Sequence, residues 1–178
     1  KYRYRYIFSL WNKVCIMATN LQFIKSVSAD SVSSLTVTDM FSAQYDVYEV
    51  FIRGNGSQNV SSLNAEFLDS GGSDIAQGAY DFAVLRLNTG SSFDEVNGTN
   101  SNSFEFAYTG SSDKDFGVRI TVFNPFSSST YTFATIQSTS LSGEKGITVA
   151  KSTTSATSMK FYANQNYTPT KVSVYGVK

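Results

Sequence analysis

The stretch Asp46-Val47-Tyr48-Glu49-Val50-Phe51-Ile52-Arg53 decides the fold class. Tyr48, Val50 and Ile52 fall two residues apart, and Val47, Glu49 and Phe51 fall between them. A period of two puts successive side chains on opposite faces of an extended chain, whereas a helix repeats its apolar residues at three and four. β-branched and aromatic residues dominate both sets, and these suit a pleated surface. The stretch therefore predicts a strand, with Tyr48, Val50 and Ile52 sharing one face.

The same period recurs on both sides of it. Leu35 and Val37 share a face upstream. Downstream come Leu63, Ala65 and Phe67, then Tyr80, Phe82 and Val84 with Leu85 and Leu87 on the reverse face. Phe104, Phe106 and Tyr108 follow, then Val118, Ile120 and Val122. Tyr131 and Phe133 lie with Thr135 on one face, opposite Ala134 and Ile136. Ile147 and Val149, Met159, Phe161 and Ala163, and Val172 and Val174 close the series. Asp69-Ser70-Gly71-Gly72, Gly54-Asn55-Gly56 and Asn124-Pro125 are expected as turns, and Gly143, Gly146, Pro169 and the 152–158 Ser/Thr cluster as breaks between strands. A long Ser/Asn/Gly loop is expected between Leu87 and Phe104. About ten strands with turns at this spacing predict one all-β domain over residues 17–178, an antiparallel β-sandwich of jelly-roll type.

Composition agrees with a packed domain. Of 178 residues, 41% are hydrophobic and 15% aromatic, while 16% are charged. That charged share lies well below the roughly 25% of an average domain, so hydroxyls and amides must wet much of the surface. From Met17 onward ten basic residues face fourteen acidic ones, a net of −4, which is not the electrostatic footprint of a nucleic-acid binder. No apolar run reaches the length of a membrane span. The lone cysteine, Cys15, forms no internal disulfide, which favours folding in a reducing compartment.

Residues 1–16 differ from the rest. Lys1-Tyr2-Arg3-Tyr4-Arg5-Tyr6 is basic and aromatic, and Trp11 is the only tryptophan. Three readings stand: a signal peptide, whose apolar stretch Asn12 and Lys13 interrupt; a basic aromatic arm that docks on a neighbouring subunit; and an extension upstream of a translation start at Met17-Ala18-Thr19-Asn20.

The chain has no histidine, which removes Ser-His-Asp and Cys-His chemistry and the usual zinc sites. Glycosidase chemistry needs only two carboxylates. The strand-borne acids Glu49, Glu66, Asp81 and Glu105 alternate with apolar residues, which predicts that they point to solvent. Ser111-Ser112-Asp113-Lys114-Asp115-Phe116-Gly117 has oxygen donors two residues apart like part of a calcium loop, but it lacks the closing bidentate acid and reads as a polar turn. Asp69, Asp74 and Asp81 are too dispersed to suggest a metal site. The sequons at Asn55, Asn59, Asn97 and Asn166 are expected by chance in so Asn/Ser/Thr-rich a chain. Gly54-Asn55-Gly56 precedes no helix and so is no phosphate loop. No catalytic residue, metal or cofactor is therefore assigned, and no binding residue is fixed. Phe93, Tyr162 and Tyr167, expected in polar loops, are the aromatics best suited to touch a sugar or a protein shell.

Leu21-Gln22-Phe23-Ile24-Lys25-Ser26, Asp46-Val47-Tyr48-Glu49-Val50, Tyr131-Thr132-Phe133, Gly143-Glu144-Lys145-Gly146-Ile147 and the closing Val172-Ser173-Val174-Tyr175-Gly176-Val177-Lys178 carry a resemblance. Over nearly all of the chain after residue 16 it resembles small structural proteins of tailed bacteriophages, especially those of marine and cyanobacterial hosts. Residues 1–16 depart from that pattern. The resemblance implies a non-enzymatic virion protein with a β-sandwich body, made in the host cytoplasm and placed on a head, neck or fibre. It implies partners among its own copies and other capsid or tail proteins. A capsid decoration role is the first expectation, and a lectin-like receptor-binding module of a tail fibre, with a surface glycan as partner, is the second. A carboxylate-only glycosidase is the third, and it requires two acids about 5–10 Å apart in a cleft.

Overall fold

The computed structural model describes residues 20–56, 62–88, 92–109, 114–140 and 142–178. Residues 1–16, the Met17 start, Asn59 and Ser111 to Asp113 lie outside the described residues. Every described element is a strand, and every pairing between strands is antiparallel.

The strands in chain order are β1 (Leu21–Val27), β2 (Val32–Val37), β3 (Val47–Gly56), β4 (Ser62–Leu68), β5 (Tyr80–Asn88), β6 (Phe93–Ser101), β7 (Phe104–Tyr108), β8 (Lys114–Phe123), β9 (Thr132–Thr139), β10 (Ser142–Ala150) and β11 (Ser158–Val177). The organising element is β11, 20 residues long. Its C-terminal half pairs with β3 on one edge and β1 on the other. Its N-terminal half pairs with β4 and β2. Two arms grow from this spine. The broad arm runs β1-β11-β3-β8-β9-β10-β5-β6, and the narrow arm runs β2-β11-β4-β7.

The narrow arm folds over the inner face of the broad one. Phe41 sits between them, 4.9 Å from the Tyr48 ring of β3 and 6.2 Å from the Phe67 ring of β4. Phe104 of β7 lies 5.8 Å from Tyr80 of β5 and 5.4 Å from Phe67. Tyr48, Val50, Ile52, Ile120 and Val122 from the broad arm join Leu63, Ala65, Phe67, Phe106 and Phe161 from the narrow arm in a single buried core. Tyr48 and Tyr80 are wholly buried and keep their hydroxyls satisfied, as burial of a polar group demands. Tyr48 Oη donates to the Ser42 carbonyl at 2.7 Å and accepts from the Ser42 amide at 2.8 Å. Tyr80 Oη donates to Asp74 and accepts from the Phe67 amide, and burial first, then Asp74, pushes its pKa well above the usual phenol value.

The all-β expectation holds, and its arrangement is more specific than two stacked sheets. Hydrogen bonding joins all the strands into one sheet, because β11 is long enough to serve both arms, and the sheet closes nearly to a barrel. Two strands were not legible as such. Leu21–Val27 is β1, and the expected long loop before Phe104 contains β6. Gly143 and Gly146 lie inside β10, and Gly54 and Gly56 inside β3 rather than in a turn. A Cβ on Gly54 would meet the Phe116 ring and the Thr168 carbonyl at 2.6 Å, so close packing explains a glycine there. Pro169 lies inside β11, at the irregularity between Thr168 and Lys171 where the missing N–H breaks no ladder bond. The Asp69 turn forms as expected: its carboxylate accepts from the Gly71 and Ser73 amides at 2.8 and 2.9 Å, and Gly72 takes φ +81.

Candidate functional site

The inner face of the broad arm is core, so its outer face carries whatever the arm presents. The pairing registers set that face in rows. One row runs Glu95, Leu85, Lys145, Gln137, Arg119, Phe51 and Ser173 from β6 across to β11. The next runs Asn97, Ala83, Ile147, Thr135, Thr121, Glu49, Tyr175 and Phe23, reaching β1. Among the described residues the large hydrophobic side chains left exposed are Leu21, Phe23, Phe51, Leu85, Leu87, Phe93, Tyr131, Phe133 and Ile147. All but Tyr131, which precedes β9, map to this one face by register. Phe93 is 70% exposed and Ile147 58%. Exposed apolar side chains gathered on one face mark it as an interaction site.

Two grooves cross the face. The first, about 570 Å³, lies between Leu85, Ile147, Lys145, Glu95 and Thr135. The second, about 750 Å³, lies between Leu21, Phe51, Tyr175, Arg53 and Lys171. They share Arg119 and Gln137, so they form one trough with a polar saddle. That saddle is rigid. Arg119 grips Glu49 with two bonds, 2.8 Å from Nε and 2.7 Å from Nη2, and Thr121 Oγ1 lies 3.1 Å from both carboxylate oxygens. The bond to Glu49, and then its charge, hold the Arg119 pKa above its ordinary value. Phe51 and Phe23 each set an edge against the Tyr175 ring, at 5.8 and 5.6 Å. Arg53 and Lys171 face each other across β3 and β11, and neither side chain has a hydrogen bond or ion pair among the described residues.

The four candidate acids do not assemble. Glu66 and Asp81 are partly exposed as expected, paired with Lys160 at 3.4 Å and Lys151 at 2.8 Å. The Lys151 bond holds the Asp81 carboxyl below the usual range. Glu49 and Glu105 correct the expectation of solvent exposure, being 5% and 6% exposed. Glu49 does lie on the outer face, but the Arg119 side chain from the neighbouring strand covers it. Glu105 belongs to a cluster that alternation could not foresee. Arg86 of β5 reaches Glu105 of β7 at 2.5 Å and Glu144 of β10 at 2.9 Å, with its guanidinium 3.8 Å from the Tyr108 ring centre. Ser138 Oγ donates to Glu144 at 2.9 Å. Burial raises the Glu105 pKa, the Ser62 hydroxyl opposes it, and Glu144 adds to the rise. Burial alone would lower Arg86, but its bond to Glu144 and the charges of both acids leave it raised. The cluster ties β7 to the inner side of β5 and β10 where the barrel closes. Neither Glu105 nor Glu144 lines either large groove.

The other singled-out residues are also dispersed. Phe93, Tyr162 and Tyr167 lie on strands and not in loops. Tyr167 is buried, with its hydroxyl donating to the Phe161 carbonyl at 2.9 Å, and Tyr162 lies under Lys160. Only Phe93 belongs to the exposed face. Among the described residues no group of three His, Cys, Asp or Glu side chains is placed to hold a metal ion.

No protein family matches the chain. Comparison with curated proteins and with solved structures likewise returns no match. The outer face of the broad arm must therefore be interpreted from its own chemistry.

Proposed function

We propose that the chain is a non-enzymatic structural protein that works by laying the outer face of its broad arm against other protein surfaces. In the setting implied by the sequence resemblance, it is a virion component of a tailed bacteriophage, a capsid decoration or other surface protein. One observation carries the reading: every large exposed hydrophobic side chain on a strand, among the described residues, falls on that single face. The face has the size for it. Eight strands about 4.8 Å apart and some seven residues long cover roughly 800 Å², about one partner's share of a standard interface. A body whose two arms face each other over one core, sandwich-like in that sense, supplies a stiff platform for such a contact. The acids support the same reading, since Glu105 and Glu144 bind Arg86 and line neither groove, and Glu49 is held by Arg119.

The test is a cryo-EM map of particles produced from the genome that encodes this chain. Density for this fold at regular positions, with Phe133 and Ile147 against a neighbouring subunit, is the expected result. Absence of the fold from the particle contradicts the virion assignment. A second reading, a glycan-binding fibre module, draws on the second groove, where Phe51 and Tyr175 stand beside Arg119 and Gln137. Saturable binding in a glycan array, lost in Tyr175→Ala, would favour it. The edge-to-face packing of those rings leaves less free ring face for a sugar to stack on.

A further inference from the structure

We infer that the second groove is an acid-binding site, where Arg53 and Lys171 receive a carboxylate from an acidic segment of a partner protein. The inference rests on the interaction reading above and gives one end of that face its partner chemistry. Arg53 of β3 and Lys171 of β11 are direct partners in the strand register, both line the groove, and both are exposed. Like charges set directly opposite each other in a sheet are unfavourable. Neither side chain has a hydrogen bond or ion pair among the described residues, so nothing there offsets the repulsion. The acids on the same face are already engaged. Asp115, two residues from Gly117 on β8, accepts from Asn55 Nδ2 at 3.3 Å, and Glu49 is held by Arg119.

The groove floor supplies a second, independent observation. Gly117 of β8 faces Arg53 across the strand pair and lines the groove. A Cβ there would meet only Thr139 Cγ2, at the ordinary contact distance of 3.6 Å, whereas a Cβ on Gly54, Gly146 or Gly176 would collide with its neighbours. Packing therefore demands those three glycines and does not demand Gly117. A glycine inside a strand weakens it, and one that packing does not require marks a place where another chain approaches the backbone. Directly opposite strand residues have Cβ atoms about 5 Å apart, so both cations can close on one carboxylate. Exposed Leu21 and Phe51 wall the groove and suit apolar side chains flanking that acid. A protein segment supplies both features. A nucleic acid fits less well, because residues 17–178 carry ten basic against fourteen acidic residues. An acidic sugar lacks the apolar flanks, and the edge-to-face rings of Phe51 and Tyr175 offer it little surface to stack on.

An amide NMR titration of the full chain tests this, with a capped tetrapeptide of two glutamates between two leucines as the probe. The same peptide with glutamines, and a uronic-acid tetrasaccharide, are the comparisons. The acidic peptide is expected to shift the Arg53, Gly117 and Lys171 amides saturably, and the glutamine peptide to bind roughly tenfold more weakly. Arg53→Gln and Lys171→Gln should each weaken the acidic peptide roughly threefold. Their denaturation midpoints should not fall, because each change removes the repulsion. Gly117→Val should abolish binding by filling the floor, again without lowering the midpoint, since a β-branched residue suits a strand. No saturable shift, equal binding of the two peptides, or binding indifferent to all three variants overturns the acid site. Tighter binding of the tetrasaccharide overturns the protein partner in favour of a glycan. In those cases protection of the same face within an assembled particle would still leave the interaction reading standing, and an unprotected face would end both.

Discussion

The broad and narrow arms follow the same alternating rule yet treat solvent differently. Outside the narrow arm stand Ser62, Asn64 and Glu66 of β4, Lys160 and Tyr162 of β11, and Ser34 and Thr36 of β2. Lys160 pairs with Glu66 and covers the Tyr162 ring, so even the aromatic there is half-buried beneath a charge. Outside the broad arm stand Phe51, Phe93, Phe133 and Ile147, open to water. One chain with one composition makes both surfaces. Exposure of aromatics is therefore a property of one face and not a by-product of an apolar sequence, which is why the contrast carries functional weight.

The largest effect separates the core from both outer surfaces. Ile120→Ala, wholly buried on the inner face of β8, should cost about 2–5 kcal/mol in chemical denaturation. Phe133→Ser on the outer face should cost less than about 1 kcal/mol in the dissociated protein. Equal losses would mean that the outer face is part of a second core. A smaller effect comes from Gly176, over which the Tyr45 ring lies so closely that any Cβ would collide with it. Gly176→Ala should cost about 1–3 kcal/mol by overpacking, and an unchanged denaturation midpoint would contradict that contact. Next, Glu49→Gln on the broad arm should lose about 1 kcal/mol, since it breaks a covered two-bond grip on Arg119. Glu66→Gln on the narrow arm, whose single contact with Lys160 is longer, should change little. A double-mutant cycle for each pair measures that difference.

The smallest effect is a pH slope. Glu105 titrates above its ordinary value of 4.5 in the folded chain, so the native state holds its proton where the unfolded state has lost it. The stability that this proton contributes is complete below about 4.5 and falls as pH rises through the raised value. Asp81 acts in the opposite sense: the stability from its lowered pKa is present above its ordinary 3.8 and is lost as pH falls. Denaturation midpoints of Glu105→Gln across this range should lack the decline just above pH 4.5. A decline equal to that of the wild type would show that Glu105 is not its source.

Much of the fold was readable in the sequence because it depends on nearest neighbours. The alternation in Val47–Ile52 and Val118–Val122 reports one buried face, and both strands formed where expected. β6 was hidden because an edge strand of Asp, Asn, Gly and Thr buries nothing, and only pairing with β5 defines it. The length of β11 was hidden by Pro169, which reads as a break until its place at an irregularity is seen. For the site, the signal was present but ambiguous. Phe51, Leu85 and Leu87 stand on the faces opposite Val50 and Val84, and a strand apolar on both faces fits either full burial or an exposed sticky surface. Sequence alone offers no means to choose, because the choice depends on whether another layer covers that face. The Arg86 cluster was invisible for a related reason, since its members come from β5, β7 and β10 and meet only when the sheet closes.

Covalent footprinting of the assembled full chain, against the same chain diluted until it dissociates, tests the central claim most directly. The account predicts that Phe51, Phe93 and Phe133 become protected on assembly while Tyr162 on the narrow arm labels equally in both states. Unchanged labelling of the broad-arm aromatics, or protection confined to the narrow arm, would contradict it.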